Sequence, residues 1–266
     1  MSAQLFSLIY HDVVERSSRD AAGFPGDVAG VYKLGPDAFL AHLHAIAATG
    51  VRIGRPQESP QAMITFDDGG GSALWVADAL EQHGFRGVFF VVTERIGTKG
   101  FSDAAAIREL VQRGHEVGSH SHTHPAYMAR LDRARLSTEW VTSRTILGEL
   151  LGREPDGAAV PGGSVSAGVI EEAAGAGYKY VCTSTPRARI TMCAGIPVLG
   201  RFTIWASDSP ERAAALVAGK PGIRARRWIS WQLKSGAKRL APGIYESARA
   251  ARAGGSVERN EASRAI

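Results

Sequence analysis

Two short segments, far apart in the chain, carry side chains that could bind one metal ion. The first is Thr65-Phe66-Asp67-Asp68-Gly69, and the second, His120–Pro125, has the order His-Ser-His-Thr-His-Pro. In the second segment His120 and His124 are four residues apart, a spacing that puts two side chains on one side of a helical turn. Two imidazoles and a carboxylate, with a position left for water, are the ligand set of hydrolytic zinc sites. The pattern predicts a divalent metal with zinc as the default, although cobalt, nickel, iron and manganese suit the same ligands.

The two adjacent carboxylates need a turn before they can share a site. Asp67 and Asp68 follow the apolar run Met63–Phe66 and precede the glycines Gly69–Gly71. Neighbouring side chains of a regular strand point to opposite faces, so both reach one site only where the strand ends. The glycines supply the freedom to turn there. The alternative is a solvated turn whose glycine loop binds an anion, which is a weak pattern beside the histidines downstream.

Strand-like apolar runs alternate with helix-like segments, an order typical of a parallel sheet flanked by helices. Strands are predicted at Leu5–Tyr10, Ala62–Phe66, Gly87–Val92, Glu116–Ser119, Gly157–Val160, Tyr180–Thr183 and Pro197–Ile204. Helices are predicted at Pro36–Ala48, Ser72–His83, Ala104–Arg113, Leu136–Leu151 and Ser166–Ala176. Seven strands favour an α/β barrel, with the chemistry at the carboxyl ends of its strands, over an open doubly wound sheet.

Composition and charge exclude some classes of protein. Of 266 residues 44% are hydrophobic, enough for one large core. The net charge is +5, yet residues 220–252 hold nine basic side chains and one acid, so the body before them is slightly acidic. We therefore expect no nucleic-acid partner. Cys182 and Cys193 form neither a disulfide framework nor a thiolate metal site.

The N-terminus predicts a strand rather than an export signal. Residues 1–4 have no basic side chain, and the run Leu5–Tyr10 is too short for a signal-peptide core. No apolar run approaches the length that spans a bilayer. We therefore expect a cytoplasmic location, with contact to the inner face of the membrane if the basic segment binds lipid.

The two metal-binding segments resemble the first two motifs of the polysaccharide deacetylase family (carbohydrate esterase family 4, the nodulation-deacetylase homology domain). The resemblance rests on Thr65–Gly69 and Gly114–Pro125 and spans Leu5 to Ser209. It implies a distorted seven-stranded (β/α) barrel. It also implies hydrolysis of the carbon–nitrogen bond of an N-acetylated amino sugar, in the synthesis of an exopolysaccharide, another polysaccharide or a glycolipid.

The resemblance also implies roles, position by position. In the family the first Asp is the general base, the second Asp and two His bind the metal, and a Ser or Thr after the first His braces the loop. In this chain the base would be Asp67, the brace Ser121, and the metal ligands Asp68, His120 and His124.

The third motif departs from the family pattern. The family has an Arg two residues before a Pro, and that Arg orients the base, whereas this chain has Ala159 before Pro161. Arg201 is the candidate partner for Asp67 instead. A backbone N–H near Pro161, Gly162 and Gly163 is expected to stabilise the oxyanion.

The family's catalytic histidine near the C-terminus has no counterpart there, because no histidine follows His124. The chain instead opens with an apolar run, Ser7–Tyr10, followed by His11-Asp12. This resembles the missing motif moved to the front, as in some biofilm-exopolysaccharide deacetylases. A closed barrel permits the move because its first and last strands are neighbours. His11 is thus predicted to be the general acid, and the alternative is a structural histidine at a strand end.

Several segments beyond the motifs have predicted roles. Tyr127 and Trp205 are predicted to contact the sugar. The stretch Val13–Gly35 either covers His11 and selects substrate, through Phe24 or Tyr32, or is a plain surface insertion. Residues 1–219 are predicted to form the catalytic barrel, 220–252 a basic helical segment and 253–266 a disordered tail. Residues 224–240 have an apolar face that either lies on an anionic membrane or packs on the barrel.

The hypothesis that follows is a metal-dependent N-deacetylase whose partner is an N-acetylated glycan or glycolipid. Two alternatives stay open. The first is a barrel that binds glycan or metal without catalysis, motivated by the missing Arg and the displaced His. The second is a related hydrolase that cleaves a small amide or a cyclic imide.

Overall fold

The computed structural model describes the backbone of residues 4–240 and the side chains of residues 4–233. Over this range the centre is a barrel of seven parallel strands, which confirms the predicted fold. The strands are β1 (Phe6–Tyr10), β2 (Ala62–Phe66), β3 (Val88–Val91), β4 (Glu116–Ser119), β5 (Gly157–Ala159), β6 (Tyr180–Thr183), β7 (Thr191–Cys193) and β8 (Ile196–Thr203). The first six follow chain order, and β8 closes the barrel by pairing with both β6 and β1.

Strand β7 lies outside the parallel barrel and pairs antiparallel with β8. The sequence does not predict it. The strand has three residues, and its central residue, Met192, is 64% exposed. An exposed apolar residue between two half-buried ones gives no alternating pattern from which a strand could be recognised.

Helices cover the outside of the barrel, largely where the sequence predicts them. They are α1 (Asp27–Gly30), α2 (Pro36–Ala47), α3 (Ala73–Gln82), α4 (Ala104–Gln112), α5 (Arg133–Leu151), α6 (Ala167–Gly175), α7 (Pro210–Val217) and α8 (Pro221–Leu240). Neither α1 nor α7 is predicted from the sequence, although at the start of α7 Ser209 accepts a hydrogen bond from the Arg212 backbone N–H and Pro210 follows it. That pair is a usual start of a helix.

Alternate residues of each strand face inward and outward. In β2, Met63 belongs to the cluster inside the barrel, whereas Ile64 and Phe66 belong to the cluster beneath the helices. Because the period is two, Thr65 and Asp67 share the inward face with Met63. The interior is tightly filled: a Cβ at Gly157 would lie 2.2 Å from the Tyr180 ring, so this position needs glycine. The strand ends therefore rest on a packed interior.

The C-terminal helix α8 packs against the outside of the barrel. Arg224 lies over the Phe6 ring, and Arg227 pairs with Asp208. Helix α8 includes residues 224–240, for which a helical face is predicted. The predicted tail, 253–266, lies outside the described residues. Over residues 4–240, no helix has both the length and the hydropathy that a bilayer crossing requires.

Candidate functional site

The predicted metal ligands lie together at the carboxyl ends of β2 and β4. Oδ1 of Asp68 is 3.5 Å from Nε2 of His120 and 3.5 Å from Nε2 of His124. One ligand atom from each residue lies within 4.8 Å of the other two. Asp68 and His120 are buried, and His124 is half-buried. Residues from two distant segments thus converge on one point, as the sequence pattern requires.

Sharp turns bring these residues to that point. Asp68, Ser121 and His124 have φ angles of 76°, 65° and 60°, in the left-handed region that residues with a Cβ rarely adopt. Each such conformation costs about 1–3 kcal/mol and persists only where the surrounding structure holds it. Clusters of such conformations are typical of functional sites, and this one follows the ends of two strands.

Side-chain hydrogen bonds hold the histidine loop in this conformation. Oγ of Ser121 accepts from the backbone N–H of His124 at 3.1 Å. Glu139, buried on α5, accepts from the backbone N–H groups of His122 and Thr123 at 2.9 and 2.8 Å. Ser121 is the predicted brace of this loop, whereas Glu139 is not predicted. Its position within a long helix gives no sign that it supports a loop.

His120 is oriented by the neighbouring strand. Its Nδ1 donates to the backbone carbonyl of Ala159 at 3.0 Å, because a carbonyl oxygen can only accept. The lone pair is then on Nε2, the atom that faces Asp68. This arrangement is typical of metal-binding histidines, whose second nitrogen donates to a carbonyl or a carboxylate.

Asp67 forms a buried, two-point ion pair with Arg201. Nη1 and Nη2 of Arg201 donate to the two carboxylate oxygens at 2.6 and 2.9 Å. Nη1 also donates to Thr65 Oγ1, and the guanidinium lies over the Phe90 ring. Arg201 is fully buried. The residue that the sequence offers in place of the missing motif-three Arg thus lies against Asp67.

The charges of the site fit a cation. Burial and the nearby charges of Asp67 and Asp12 raise the pKa of Asp68 well above its usual range. Burial also lowers the pKa of His120, and it lowers the pKa of His124 to about 3 with help from His120. Both imidazoles are therefore neutral at pH 7, as ligands must be. A divalent ion would relieve the crowding of negative charge, so the residues present fit a metal.

Asp67 keeps its charge in the same surroundings. Burial, the largest single influence, acts to raise its pKa, but the opposing charges of Arg201 and His120 and the hydrogen bonds from Arg201 outweigh it. The net result lowers the pKa of Asp67 to about 2. Two adjacent carboxylates thus have opposite pKa shifts, a usual sign of different chemical roles.

His11 reaches the same mouth from β1. It lines a small cavity together with Asp67, and its ring stacks on Tyr32 with centroids 4.9 Å apart. Burial lowers the pKa of His11 to about 4, against the charge of Asp67, which acts to raise it. Nδ1 of His11 is buried without a hydrogen-bond partner. The pairing of β1 with β2 brings this N-terminal residue beside Asp67, and the pairing of β1 with β8 brings the strand that carries Arg201 to the other side of β1.

The remaining predicted site residues surround this centre. Pro161, Gly162 and Gly163 form a 3-10 turn that follows β5, next to the histidine loop. Tyr127 packs against the guanidinium of Arg130, at 4.5 Å. Trp205 packs edge-on against Tyr32, which itself stacks on His11. The Tyr32 ring therefore contacts both Trp205 and His11. The oxyanion and sugar-binding roles of these residues stay predictions.

Comparison with known proteins finds one family model that matches part of the chain. Residues 54–181 match the family model described as polysaccharide deacetylase. This span contains both segments that form the site. Over this span, just under half of its length, the chain is similar to the polysaccharide deacetylase family.

Relatives and solved structures agree with this similarity. The chain is 38% identical over 82 residues to a chitooligosaccharide deacetylase of Bradyrhizobium sp. (strain ANU 289), which is 30% of this chain and 35% of that protein. It is 31% identical over 75 residues to the peptidoglycan-N-acetylglucosamine deacetylase PgdA of Listeria monocytogenes, 27% of this chain and 15% of that protein. The chain thus aligns with a minor part of each relative.

A solved structure shares the fold over most of its length. The deacetylase PplD of Streptococcus pyogenes, solved with acetate, superposes with a TM-score of 0.66 and 20% identity. The match covers 79% of this chain and 96% of that one. At this level of identity the likeness establishes the polysaccharide deacetylase barrel.

Proposed function

We propose that this protein is a metal-dependent hydrolase that removes N-acetyl groups from an N-acetylated amino sugar. The observation that carries the proposal is the convergence of Asp68, His120 and His124 beside the Asp67–Arg201 pair. Similarity to the polysaccharide deacetylase family supports it, as do relatives named for chitooligosaccharide and peptidoglycan deacetylation.

Asp68, His120 and His124 would hold a divalent ion, with zinc as the first candidate for this ligand set. A bound zinc ion polarises an amide carbonyl and lowers the pKa of a coordinated water. The residues themselves prepare the site: the imidazoles are neutral, and the Ala159 carbonyl fixes which nitrogen of His120 faces inward.

Asp67 is the proposed general base. Its carboxylate is ionised at pH 7, and the two-point contact with Arg201 fixes the plane of the carboxylate. A base held in one orientation within a buried site removes a proton from an attacking water efficiently. Arg201 thus acts through Asp67, as the motif-three Arg does in that family.

His11 is the proposed general acid, which protonates the departing amine nitrogen. With a pKa of about 4 it is neutral at pH 7 in the free protein. Negative charge that develops on the substrate raises that pKa, so His11 carries its second ring proton only while the charge is present. Without this proton the amine would be a poor leaving group.

Acetate release from oligomers of N-acetylglucosamine, after reconstitution with zinc, tests the proposal. We expect turnover by the wild-type protein and losses of about 10²–10⁴-fold for Asp67→Asn and for His11→Ala, the usual contribution of a general acid or base. Asp78→Asn and His44→Ala are matched controls, since both residues are exposed on helices. Wild-type turnover by Asp67→Asn would show that Asp67 is not the general base. Wild-type turnover by His11→Ala would show that His11 is not the general acid.

The same assay separates the other two hypotheses. Stoichiometric metal with no acetate from any acetylated glycan would favour a binding barrel without catalysis. Turnover of small amides or cyclic imides, with none of sugars, would favour the related hydrolase. Elemental analysis of the purified protein identifies the metal in either case.

We further propose that helix α8 contacts an anionic membrane, which would suit a lipid-linked glycan as substrate. One side of α8 packs on the barrel through Arg224 and Arg227. On another side Ile229 and Leu233 are 58% and 71% exposed, and their spacing of three and seven residues from the exposed Arg226 puts them on the same helical face. Exposed apolar side chains beside basic ones are typical of helices at lipid surfaces.

Sedimentation with vesicles tests the membrane proposal on the full chain. We expect binding to vesicles that contain phosphatidylglycerol, and weak binding to neutral phosphatidylcholine vesicles. The double substitution Ile229→Ser and Leu233→Ser should reduce the binding. Met192→Ser, which removes an equally exposed apolar side chain elsewhere, should not. Equal sedimentation of all three proteins would end the proposal.

A further inference from the structure

A loop covers the metal-binding mouth from one side. It comprises residues 13–35, between β1 and α2, and is called the roof below. The ring centroid of Phe24 in the roof is 4.8 Å from that of His124. Tyr32, also in the roof, stacks on His11 at 4.9 Å. One loop therefore contacts both a proposed metal ligand and the proposed acid.

The roof has little regular structure to hold it. It contains two 3-10 turns within Arg16–Ala21 and the four-residue helix α1, and no residue of either segment is buried. Phe24 lies between these segments and also meets Phe101 and the guanidinium of Arg95. The backbone N–H of Gly23 donates to the carbonyl of Gly100 at 2.6 Å, and a further interaction holds the carbonyl groups of the turn that carries Phe24.

Lys33 supplies that interaction. Its Nζ donates to the backbone carbonyls of Arg19, Ala22 and Phe24 at 2.7, 2.6 and 2.7 Å. An ammonium group has three N–H donors, and here three carbonyls satisfy all of them. The side chain is buried, with 7% of its surface exposed. Such burial is tolerated because the donors are fully paired.

Lys33 is itself anchored to the barrel. Leu34, the next residue, is buried in the core and accepts from the backbone N–H of Val14. The Leu34 backbone N–H donates to the carbonyl of Asp12, directly after β1. The base of the lysine is thus fixed, and its ammonium group gathers the turn that carries Phe24. Gly23 presses this turn against Asp12, whose Oδ2 would lie 2.1 Å from a Cβ at that position.

We propose that Lys33 is a positioning residue: it fixes the roof so that Phe24 holds the His124 ring in its metal-binding orientation. The inference rests on the proposed metal role of His124. It assigns to Lys33 an effect on metal affinity that is transmitted through Phe24. A second route is electrostatic, because the charge of Lys33 also acts on Asp68. The two routes predict different behaviour of double variants.

The experiment measures zinc affinity of the metal-free protein by competition with a chelator, together with trypsin cleavage after Arg16 and Arg19. Lys33→Met keeps the length of the side chain and removes the three donors. We expect cleavage in the roof to accelerate about tenfold and zinc affinity to fall about tenfold, within the 10–100-fold range for supporting groups of metal sites. Lys179→Met, at a lysine exposed on the surface, is the control and should change neither.

Phe24→Ala removes the ring and leaves the three carbonyl contacts in place. We expect a similar loss of zinc affinity with the wild-type cleavage rate. If Lys33 acts through Phe24, Lys33→Met has no further effect on zinc affinity in the Phe24→Ala background. Additive losses would show that Lys33 acts through its charge, and would overturn the proposal. So would wild-type zinc affinity in Phe24→Ala, a result that decides the matter even if Lys33→Met does not fold.

These measurements need no turnover. A protein that releases no acetate but shows the expected cleavage and zinc affinities would contradict the proposed function and support the role of Lys33. Acetate release by the wild-type protein, together with wild-type roof cleavage and zinc affinity in the Lys33→Met and Phe24→Ala variants, would support the proposed function and contradict the role of Lys33.

Discussion

Strand β4 has a histidine close to each end, and the two histidines have different surroundings. At the carboxyl end, Nδ1 of His120 donates to the Ala159 carbonyl, and Nε2 faces carboxyl oxygens of Asp67 and Asp68 at 3.9 and 3.5 Å. At the amino end, His115 uses both nitrogens. Nδ1 accepts from the backbone N–H of Gly87, and Nε2 donates to Glu81, each at 3.0 Å.

The carboxylates at the two ends of β4 also differ in how completely they are paired. Glu81 has Arg113 beside it, and Arg113 also pairs with Asp78 and Glu109 at the protein surface. Asp68 has no arginine partner among the residues that the structure describes, and its pKa is raised by burial and by neighbouring carboxylates. Both ends thus contain imidazole and carboxylate. Only at the carboxyl end do acceptor atoms face one another, which is the arrangement that a cation completes.

The largest expected difference between the two ends is in the free energy of unfolding that is lost when the arginine at each end is replaced. Arg201→Met would leave Asp67 buried without its partner, and loss of one member of a buried ion pair costs about 3–5 kcal/mol. Arg113→Met removes contacts with partly exposed acids, each worth about 1 kcal/mol or less. Chemical denaturation of the two variants measures both free energies of unfolding.

Stability losses of equal size would contradict the view that the two ends differ in their need for pairing. Arg201→Lys serves as a further control, because it keeps the charge and loses the two-point contact. It should recover part of the stability and leave acetate release reduced.

The fold was largely predictable because its pattern is local. Strands β1 to β6 and β8 were predicted within about two residues, since each is a short apolar run bounded by turn residues. Strand β7 and helix α7 were missed. Strand β7 has no alternation of apolar residues, and helix α7 is short, with only the Ser209-Pro210 capping pattern to indicate where it begins.

The site was predictable where one segment carries the pattern, as in His120–Pro125. It was harder where partners meet across the barrel. The pairing of Arg201 with Asp67 depends on the register of β8 against β1, which no local pattern sets. Lys33 and Glu139 were missed because their partners are mainly backbone atoms, which leave no trace in residue type.

Replacing each of the two histidines by alanine should distinguish an effect on metal binding from an effect on stability. His120→Ala removes a proposed ligand, so zinc affinity should fall by more than the 10- to 100-fold that a supporting hydrogen bond contributes. His115→Ala leaves the backbone N–H of Gly87 without its partner, whereas Oε1 of Glu81 still accepts from Arg113, and the variant should lower the free energy of unfolding by about 1–3 kcal/mol. Zinc titration and thermal unfolding of the metal-free variants measure the two effects.

Each variant should be impaired in only one of the two properties, zinc binding or stability. His115→Ala should bind zinc as the wild type does, and metal-free His120→Ala should lose less stability than His115→Ala. Weak zinc binding by His115→Ala would show that the amino end of β4 supports the metal site. That result would break the distinction between the two ends.

The smallest expected effect belongs to Glu81. The hydrogen bond from Arg113 lowers the pKa of Glu81 below its ordinary value of 4.5. A carboxyl group whose pKa is lower in the folded state stabilises the protein above the unfolded pKa, and this contribution is lost as the pH falls through the folded pKa. Because Glu81 is only half-buried, Glu81→Gln should cost about 1 kcal/mol or less at pH 7.

Denaturation of the wild type and Glu81→Gln across pH checks this sign. The difference should be greatest at neutral pH, shrink below pH 4.5 and shrink also at high salt, since the pair is near the surface. Glu149→Gln, at an exposed position of α5, should show no such dependence. A Glu81→Gln difference that persists unchanged at pH 3 would mean that packing and neutral hydrogen bonds, rather than charge, hold the amino end of β4 together. The two ends would then differ in kind and not only in how completely their charges are paired.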